Sequence, residues 1–570
     1  MTYRAPLTDI AHALKVAGLD GLRETDAFKD VDQDTMMAVL QGAAEFTEGV
    51  LAPLNRSGDQ EGVRLENGKV RSATGFADAW KHYAQGGWTG LAADPAFGGQ
   101  GLPKVLSLAA FEMAHAANMS FALCPLLGEG AIHLLSLHGT RRQQELYLKK
   151  LVSGEWTGTM NLTESQAGSD LALLRCKAEP DGDAYRITGQ KIFITWGDHD
   201  MTDNIVHLVL ARLPDAPPGV KGISLFLVPK ILVGDDGKLG AANAVRPLSL
   251  EKKLGIHASP TCVIGYEGAY GEIVGKPGDG LSLMFLMMNA ARLNVGMEGV
   301  GVAEAATQKA LSYARERRQG RSPWSKDQTA LIIDLPDVRR MLMLMTAKTQ
   351  AARAICYATA VASDLAEHAP TQHAREAAGL REDILVPIAK AWSTDVAVEV
   401  ASLGVQVHGG AGFIEETGAA QFYRDARITP IYEGTNGIQA MDLAGRKLGL
   451  ENGKAARDLL IEMRSTAIAD KKLSAHLHDA IAACERATDW MLANRGTPDA
   501  LGAATTYLKL IGDTVGGFLL AKGAQGSDGN EARAGLARFY AAQVLTLANG
   551  LADTVEAGAL GLENAQFLGG

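Results

Sequence analysis

The chain has 570 residues, 47% apolar and 21% charged, which is the profile of a folded, soluble protein too long for one core, with three or four domains expected. Its 55 Lys and Arg against 65 Asp and Glu leave a formal charge of −10, which excludes the broad basic face that general nucleic-acid binding requires. Five scattered cysteines (Cys124, Cys176, Cys262, Cys356 and Cys484), none in C-x-x-C spacing, exclude a disulfide framework or a zinc site. They point to a reducing, cytoplasmic setting and to no metal.

The start, "MTYRAPLTDIAHALKVAGL", has no basic region followed by a long apolar run, so it does not read as a signal peptide. Residues 1–157 read as a helical N-terminal domain. "TMMAVLQGAAEFTEGVLAPLNRSGD" and "KVLSLAAFEMAHAANMSFAL" carry apolar residues at helical spacing, separated by the turn-forming "DPAFGGQGLP". Residues 158–278 change to strands. "AYRITGQKIFITWG", "NIVHLVLARL", "GISLFLVPK" and "TCVIGYEGAYGEIVG" are rich in β-branched residues and divided by Gly, Pro and Asp, as in a small barrel or sandwich.

Helical spacing returns over 279–450, the expected C-terminal bundle, and continues through an additional helical region at 451–570. The apolar "LSLMFLMMNAARLNVGMEGVGVAEAA" contains Arg292, Glu298 and Glu304, so a buried helix explains it better than a membrane span. The order is α, β, α, α. Strands do not alternate with helices, which argues against a doubly wound sheet and for a mainly α chain with a central β-domain.

Four segments could carry chemistry. In "MNLTESQAGSD" (160–170), Thr163 and Ser169 offer hydroxyls beside Gly168, a set that suits the polar edge of a flat heterocycle and equally a capped turn. In "KIFITWG" (191–197), Phe193 and Thr195 lie two apart and are expected on one strand face, as a ring-lining pair or as an ordinary half-buried face. "VHGGAGF" (407–413) is no G-x-G-x-x-G after a strand. Its glycines suit either a helix end or close approach to a pyrophosphate. "RDARITPIYEGTNGIQ" (424–439) sets Glu433 among Ile428, Pro430, Ile431 and Tyr432, where an acid without a task is costly.

These four segments, in this order, resemble those of the acyl-CoA dehydrogenases, and the resemblance covers about residues 1–450. "GDHDMTDNIVHLVLARLPDAPPGVKGISLFLVPK" and "EKKLGIHASPTCV" resemble the long-form branch that contains 3-(methylthio)propanoyl-CoA dehydrogenases. The resemblance implies a helical N-terminal domain, a small β-barrel and a four-helix bundle. It implies FAD held between barrel and bundle, and α,β-dehydrogenation of an acyl-CoA to the trans-2-enoyl-CoA. Electrons would pass to electron-transferring flavoprotein, within a homodimer.

It makes Glu433 the base for the α-proton, with the β-hydride going to flavin N5. The Glu433 main-chain N–H and a ribityl hydroxyl would hold the thioester oxygen. Some members carry their base before the bundle arginine, where "MNAARLNVG" has Ala291 before Arg292, so no second candidate base is present there. Thr163, Ser169, Phe193, Thr195, Arg317, Gln406, Gly410, Thr435 and Gly437 are implied to contact FAD, and Ser169, Asn289, Arg292 and Gly434 the substrate.

Several positions depart from the family pattern. Pro336 stands where a glutamine is common, Asn289 where an aspartate is frequent, and Gly437 where shorter-chain relatives have glutamine. Trp196 is expected to cap the flavin or narrow the acyl cleft. The substrate is read as 3-(methylthio)propanoyl-CoA or a medium- or long-chain acyl-CoA. An acyl-CoA oxidase and a non-catalytic acyl-CoA or flavin scaffold remain as alternatives.

Overall fold

Alternating β-branched strands in the middle of the chain fold into a sheet that closes on itself. In the computed structural model, which describes residues 3–525 and 531–562, the sheet is built from β1 (Thr157–Asn161), β2 (Lys177–Asp181), β3 (Ala184–Thr195), β4 (Ile205–Arg212), β5 (Ile223–Pro229), β6 (Val245–Leu250) and β7 (Thr261–Val274). Strand β7 pairs with β3, β3 with β2, β2 with β4, β4 with β5, and β5 again with β7, while β6 and β1 extend the edges. Closure gives β2, β3, β4, β5 and β7 a partner on each side. Its interior is apolar, with Ile187, Leu208, Leu210, Leu225, Leu227 and Ile264 fully buried. The expected barrel and the α–β–α order are therefore present.

The chain divides into two compact units, one of Gly42–Ala291 and the other of Tyr3–Gln41 together with everything from Arg292 onward. In the first, the helix Lys104–His138 packs on the barrel strand β1 and buries Leu106, Phe111, Phe121 and Leu135. It is the one helix among the described residues long and apolar enough to cross a membrane, and 72% of its most apolar stretch is buried inside the protein. That burial marks a core helix. Trp196, expected beside the flavin, is instead 1% exposed: its indole Nε1 donates to the Ser120 carbonyl at 3.1 Å and its ring lies over Phe76. Packing inside the unit, rather than a ligand, occupies this side chain.

In the second unit three long helices carry the structure: α1 (Gly280–Glu316, of which the residues from Arg292 belong here), α2 (Pro336–His368) and α3 (Gln372–His408). Pro336 opens α2 at a position where a missing N–H costs nothing. Gly296 and Gly299 let α1 approach the backbone of α3. A Cβ at Gly296 would lie 2.6 Å from the Ala389 carbonyl oxygen, and one at Gly299 would lie 2.8 Å from that of Ser393. This approach brings α1 residues 292–298 beside the α3 residues around 390. The helix Leu7–Ala17 joins the same unit by burying Ile10 and Leu14, and Gln350 and Arg533 both bond Asp9.

The region after 450 forms the helices Lys454–Ser465, Lys471–Ala493, Pro498–Gln525, Glu531–Gln543 and Ala548–Glu556. The last eight residues of the expected 451–570 region lie outside the described residues. Trp392 of α3 donates to Asp513 at 2.9 Å, which ties this extension to the bundle.

Crowding at Gly299 predicts that Gly299→Ala lowers unfolding stability by about 1–3 kcal/mol. Gly535 has open space where a Cβ would go, so Gly535→Ala in its helix raises stability by about 0.4–1 kcal/mol. Denaturant unfolding of both variants checks the opposite signs.

Candidate active site

Glu433 lies in a turn between the helix Ala419–Ala426 and the helix Asn436–Asp442. Glu433 and Gly434 are both left-handed, with φ of +55° and +82°. For a glutamate that conformation costs about 1–3 kcal/mol, so the surroundings must impose it. Gly434 is required there for a second reason, because a Cβ would come within 2.7 Å of Gln439 Nε2. Thr435 then caps the next helix, its hydroxyl accepting from the Ile438 N–H at 3.2 Å. The Asn436 N–H returns to the Pro430 carbonyl at 2.9 Å and closes the turn.

The turn is fastened to α3. Lys390, fully buried, donates from Nζ to the Gly434 carbonyl at 2.9 Å and to Asn436 Oδ1 at 2.8 Å. The Asn436 amide donates to the Ala391 carbonyl at 3.0 Å and to Asp395 Oδ1 at 2.8 Å. From α1, the fully buried Glu298 accepts a hydrogen bond from the Tyr432 hydroxyl. Its other oxygen has no partner among the described residues.

The Glu433 side chain keeps an intermediate share of its surface yet is densely surrounded, as befits an acid at the bottom of a recess. Burial raises its carboxyl to about 7, against the opposing pull of the Lys390 and Arg292 charges. Lys390 directs its hydrogen bonds to the Gly434 carbonyl and Asn436 Oδ1. Arg292 turns to Asp442, with Nη1 3.6 Å from Oδ2, and Arg424 reaches Glu415 at 3.1 Å. The Glu433 main-chain N–H donates to no group among the described residues. Glu298 is raised to about 8 by burial, and Lys390 is lowered to about 8 for the same reason.

The second unit thus gathers Glu433, Gly434, Thr435, Gly437 and Arg292. Gly437 is exposed. Arg317, Gln406 and Gly410 form a separate exposed group at the ends of α1 and α3, where Tyr313 stacks on His408 at 4.5 Å. No atom approaches within 4 Å of a Cβ placed on Gly410, while one on Gly412 would sit 2.2 Å from the Val405 carbonyl oxygen. Phe413 beside them is 86% exposed.

In the first unit, Thr163 is half-buried, Ser169 is exposed and Asn289 is half-buried. The Ile192 N–H donates to the Thr163 carbonyl at 2.9 Å, setting this loop against β3. Phe193 and Thr195 do not follow the simple two-residue alternation. The register of β3 against β7 shifts between Lys191 and Ile194, and Phe193 takes φ of +59° in the resulting bulge. The bulge leaves the large apolar ring of Phe193 58% exposed. Within this unit the exposed ring and the accessible Ser169 suit a flat heterocycle; within the other unit, taken by itself, the open backbone at Gly410 suits a phosphate-linked tail.

Sequence reasoning missed Lys390, Glu298, Asn436 and Gln439, and in the first unit the buried pair Lys191–Glu164 at 2.9 Å. Glu164 also accepts from the Arg175 and Cys176 N–H groups, so it holds the loop to the barrel. A usable signal existed in both units: a lysine inside an apolar stretch, as in "ILVPIAKAW" and "KIFIT", is fully buried in each case and needs a partner.

Family models for the acyl-CoA dehydrogenase N-terminal domain match residues 33–155, for the middle domain 159–268 and for the C-terminal domain 278–448. A model described as acetyl-CoA dehydrogenase C-terminal like matches 459–565. The chain is 46% identical over 558 residues to 3-methylmercaptopropionyl-CoA dehydrogenase of Ruegeria pomeroyi, covering 96% of this chain and 95% of that protein. Its fold resembles Caenorhabditis elegans ACDH-11 in complex with C11-CoA, at a TM-score of 0.80 and 22% identity over 95% of this chain and 92% of that one. It also resembles an acyl-CoA dehydrogenase complexed with FAD from Bacillus anthracis, at 0.75 and 22% over 94% and 91%.

Glu298 is an acid whose folded-state ionisation lies above its ordinary value of 4.5, so the folded state binds more protons than the unfolded one between about pH 4.5 and 8. Stability therefore falls as pH rises through that window. Glu298→Gln, which keeps a partner for Tyr432, raises the thermal midpoint over the unsubstituted protein at pH 8.5 more than at pH 4.5. Midpoints measured across that range check the sign.

Proposed function

We propose that Glu433 is the catalytic base of this chain, which belongs to the acyl-CoA dehydrogenase family and therefore carries out the FAD-dependent α,β-dehydrogenation of an acyl-CoA thioester. The observation that carries the assignment is a recessed carboxylate raised to about 7, next to a main-chain N–H with no acceptor among the described residues. The α-C–H of a thioester is a weak acid, and a base titrating close to the working pH is the most effective general base for it. The thioester oxygen gains charge as the proton leaves, and the unspent Glu433 N–H is a donor for that oxygen. Such a donor is worth about 3 kcal/mol in the transition state.

FAD supplies the acceptor for the β-hydrogen as hydride when bound. Thr163, Ser169, Phe193 and Thr195 are assigned to the flavin portion. Arg317, Gln406 and Gly410 are assigned to the pyrophosphate and adenosine portion, with Gly437 near FAD. The Thr435 hydroxyl oxygen accepts at the helix cap and keeps its O–H to donate toward FAD. Arg292, Asn289, Ser169 and Gly434 are assigned to the acyl-CoA.

The identity to the Ruegeria enzyme supports 3-(methylthio)propanoyl-CoA as substrate, with unbranched acyl-CoAs as the competing class. A homodimer that passes electrons to electron-transferring flavoprotein in the cytoplasm completes the reading. An oxidase would differ in giving peroxide in step with product.

Anaerobic bleaching of the flavin by a panel of acyl-CoAs tests the assignment. Glu433→Gln is expected to retain the yellow cofactor and acyl-CoA binding while bleaching falls about 10³-fold. Bleaching at the unsubstituted rate would overturn it. In the unsubstituted enzyme the acid limb of the rate is expected near pH 7, because the base must be ionised.

A further inference from the structure

We propose that Lys390 is a positioning residue for the reaction, holding the turn that presents Glu433 and its N–H, and supplying a fixed positive charge that never pairs with the base. The inference rests on the assignment of Glu433 as base. A lysine with no exposed surface in the middle of a helix is costly and rare unless its charge has a task. Here its named hydrogen bonds go to two neutral oxygens, the Gly434 carbonyl and Asn436 Oδ1, and not to the carboxylate one residue away.

That choice of partners has two consequences. The hydrogen bond to Gly434 fixes the second of two consecutive left-handed residues, and Asn436 carries the restraint to Ala391, Thr394 and Asp395. The turn is thereby held in the conformation that leaves the Glu433 N–H without an internal acceptor. The ammonium also acts on Glu433 through space, opposing burial, so the base stays ionisable near neutrality without being neutralised by direct pairing. The charged groups facing Lys390 are Glu433, Glu298, Asp395 and Arg292. Three acids and one other cation surround it, so removing the lysine leaves the acids with one nearby counter-charge among these groups.

A lysine that merely satisfies the core would affect stability and FAD retention alone. The test is the pH dependence of anaerobic flavin reduction in the FAD-loaded Lys390→Met enzyme, with 3-(methylthio)propanoyl-CoA or the best substrate of the panel. The expected result is an acid limb moved upward by about one pH unit, a rate at pH 7 reduced about tenfold or more, and acyl-CoA affinity changed less than threefold. Lys390→Arg, which keeps the charge and disturbs the clamp, is expected to slow reduction with the acid limb in place. An unmoved acid limb and an unreduced rate in Lys390→Met overturn the proposal.

If Lys390→Met does not retain FAD, Asn436→Ala decides. It removes the clamp partner without changing charge, and is expected to slow reduction at least fivefold with an unmoved acid limb. Full activity there overturns the proposal. Glu433→Gln, measured alongside, separates the two readings. Full bleaching in that variant sinks the base itself, whereas loss of bleaching there with an unchanged Lys390→Met profile sinks the role of Lys390 alone.

Discussion

A glutamate held in a left-handed turn, with its carboxylate recessed and its N–H unspent, is the constraint on which the candidate site depends. The chain does not adopt two consecutive left-handed residues without restraint. The restraint comes from three directions. Glycine at 434 tolerates the conformation and avoids Gln439, Tyr432 is fixed through Glu298 of α1, and Lys390 with Asn436 ties the turn to α3. Gly296 and Gly299 matter to the site for the same reason, since they set how closely the helices bearing Glu298 and Lys390 approach.

The electrostatics follow from that packing. Desolvation pushes Glu433 and Glu298 up and Lys390 down, so three buried ionisable groups sit near neutrality rather than at their ordinary extremes. Such a cluster makes a structure less stable than an apolar filling would, and its presence beside a strained turn is the pattern of a functional site. The buried pair Lys191–Glu164 in the other unit contrasts with it. There the lysine bonds the carboxylate directly and Glu164 is held below its ordinary range, which suits a structural fastening.

The fold was legible because its signals are local and repeated. β-branched alternation announced the barrel strands, helical spacing announced the helices on either side, and the chain order ruled out a doubly wound sheet. Glu433 was legible because an acid in an apolar loop needs a reason. What could not be read were interactions that depend on distant segments meeting: Lys390 with Gly434, Glu298 with Tyr432, and Trp196 with Ser120. The bulge at Phe193 was hidden for a related reason, because register is set by the partner strand, about seventy residues away, and not by β3 alone.

Burial lifts the Glu433 carboxyl from an ordinary 4.5 to about 7, and the role of that side chain as base depends on this shift. Infrared difference spectra of the FAD-loaded protein against its Glu433→Gln variant, recorded from pH 4 to 9, isolate that one carboxyl. A protonated-carboxyl band that disappears with a midpoint near 7 is the result expected. A band lost with a midpoint near the ordinary 4.5 would contradict the account.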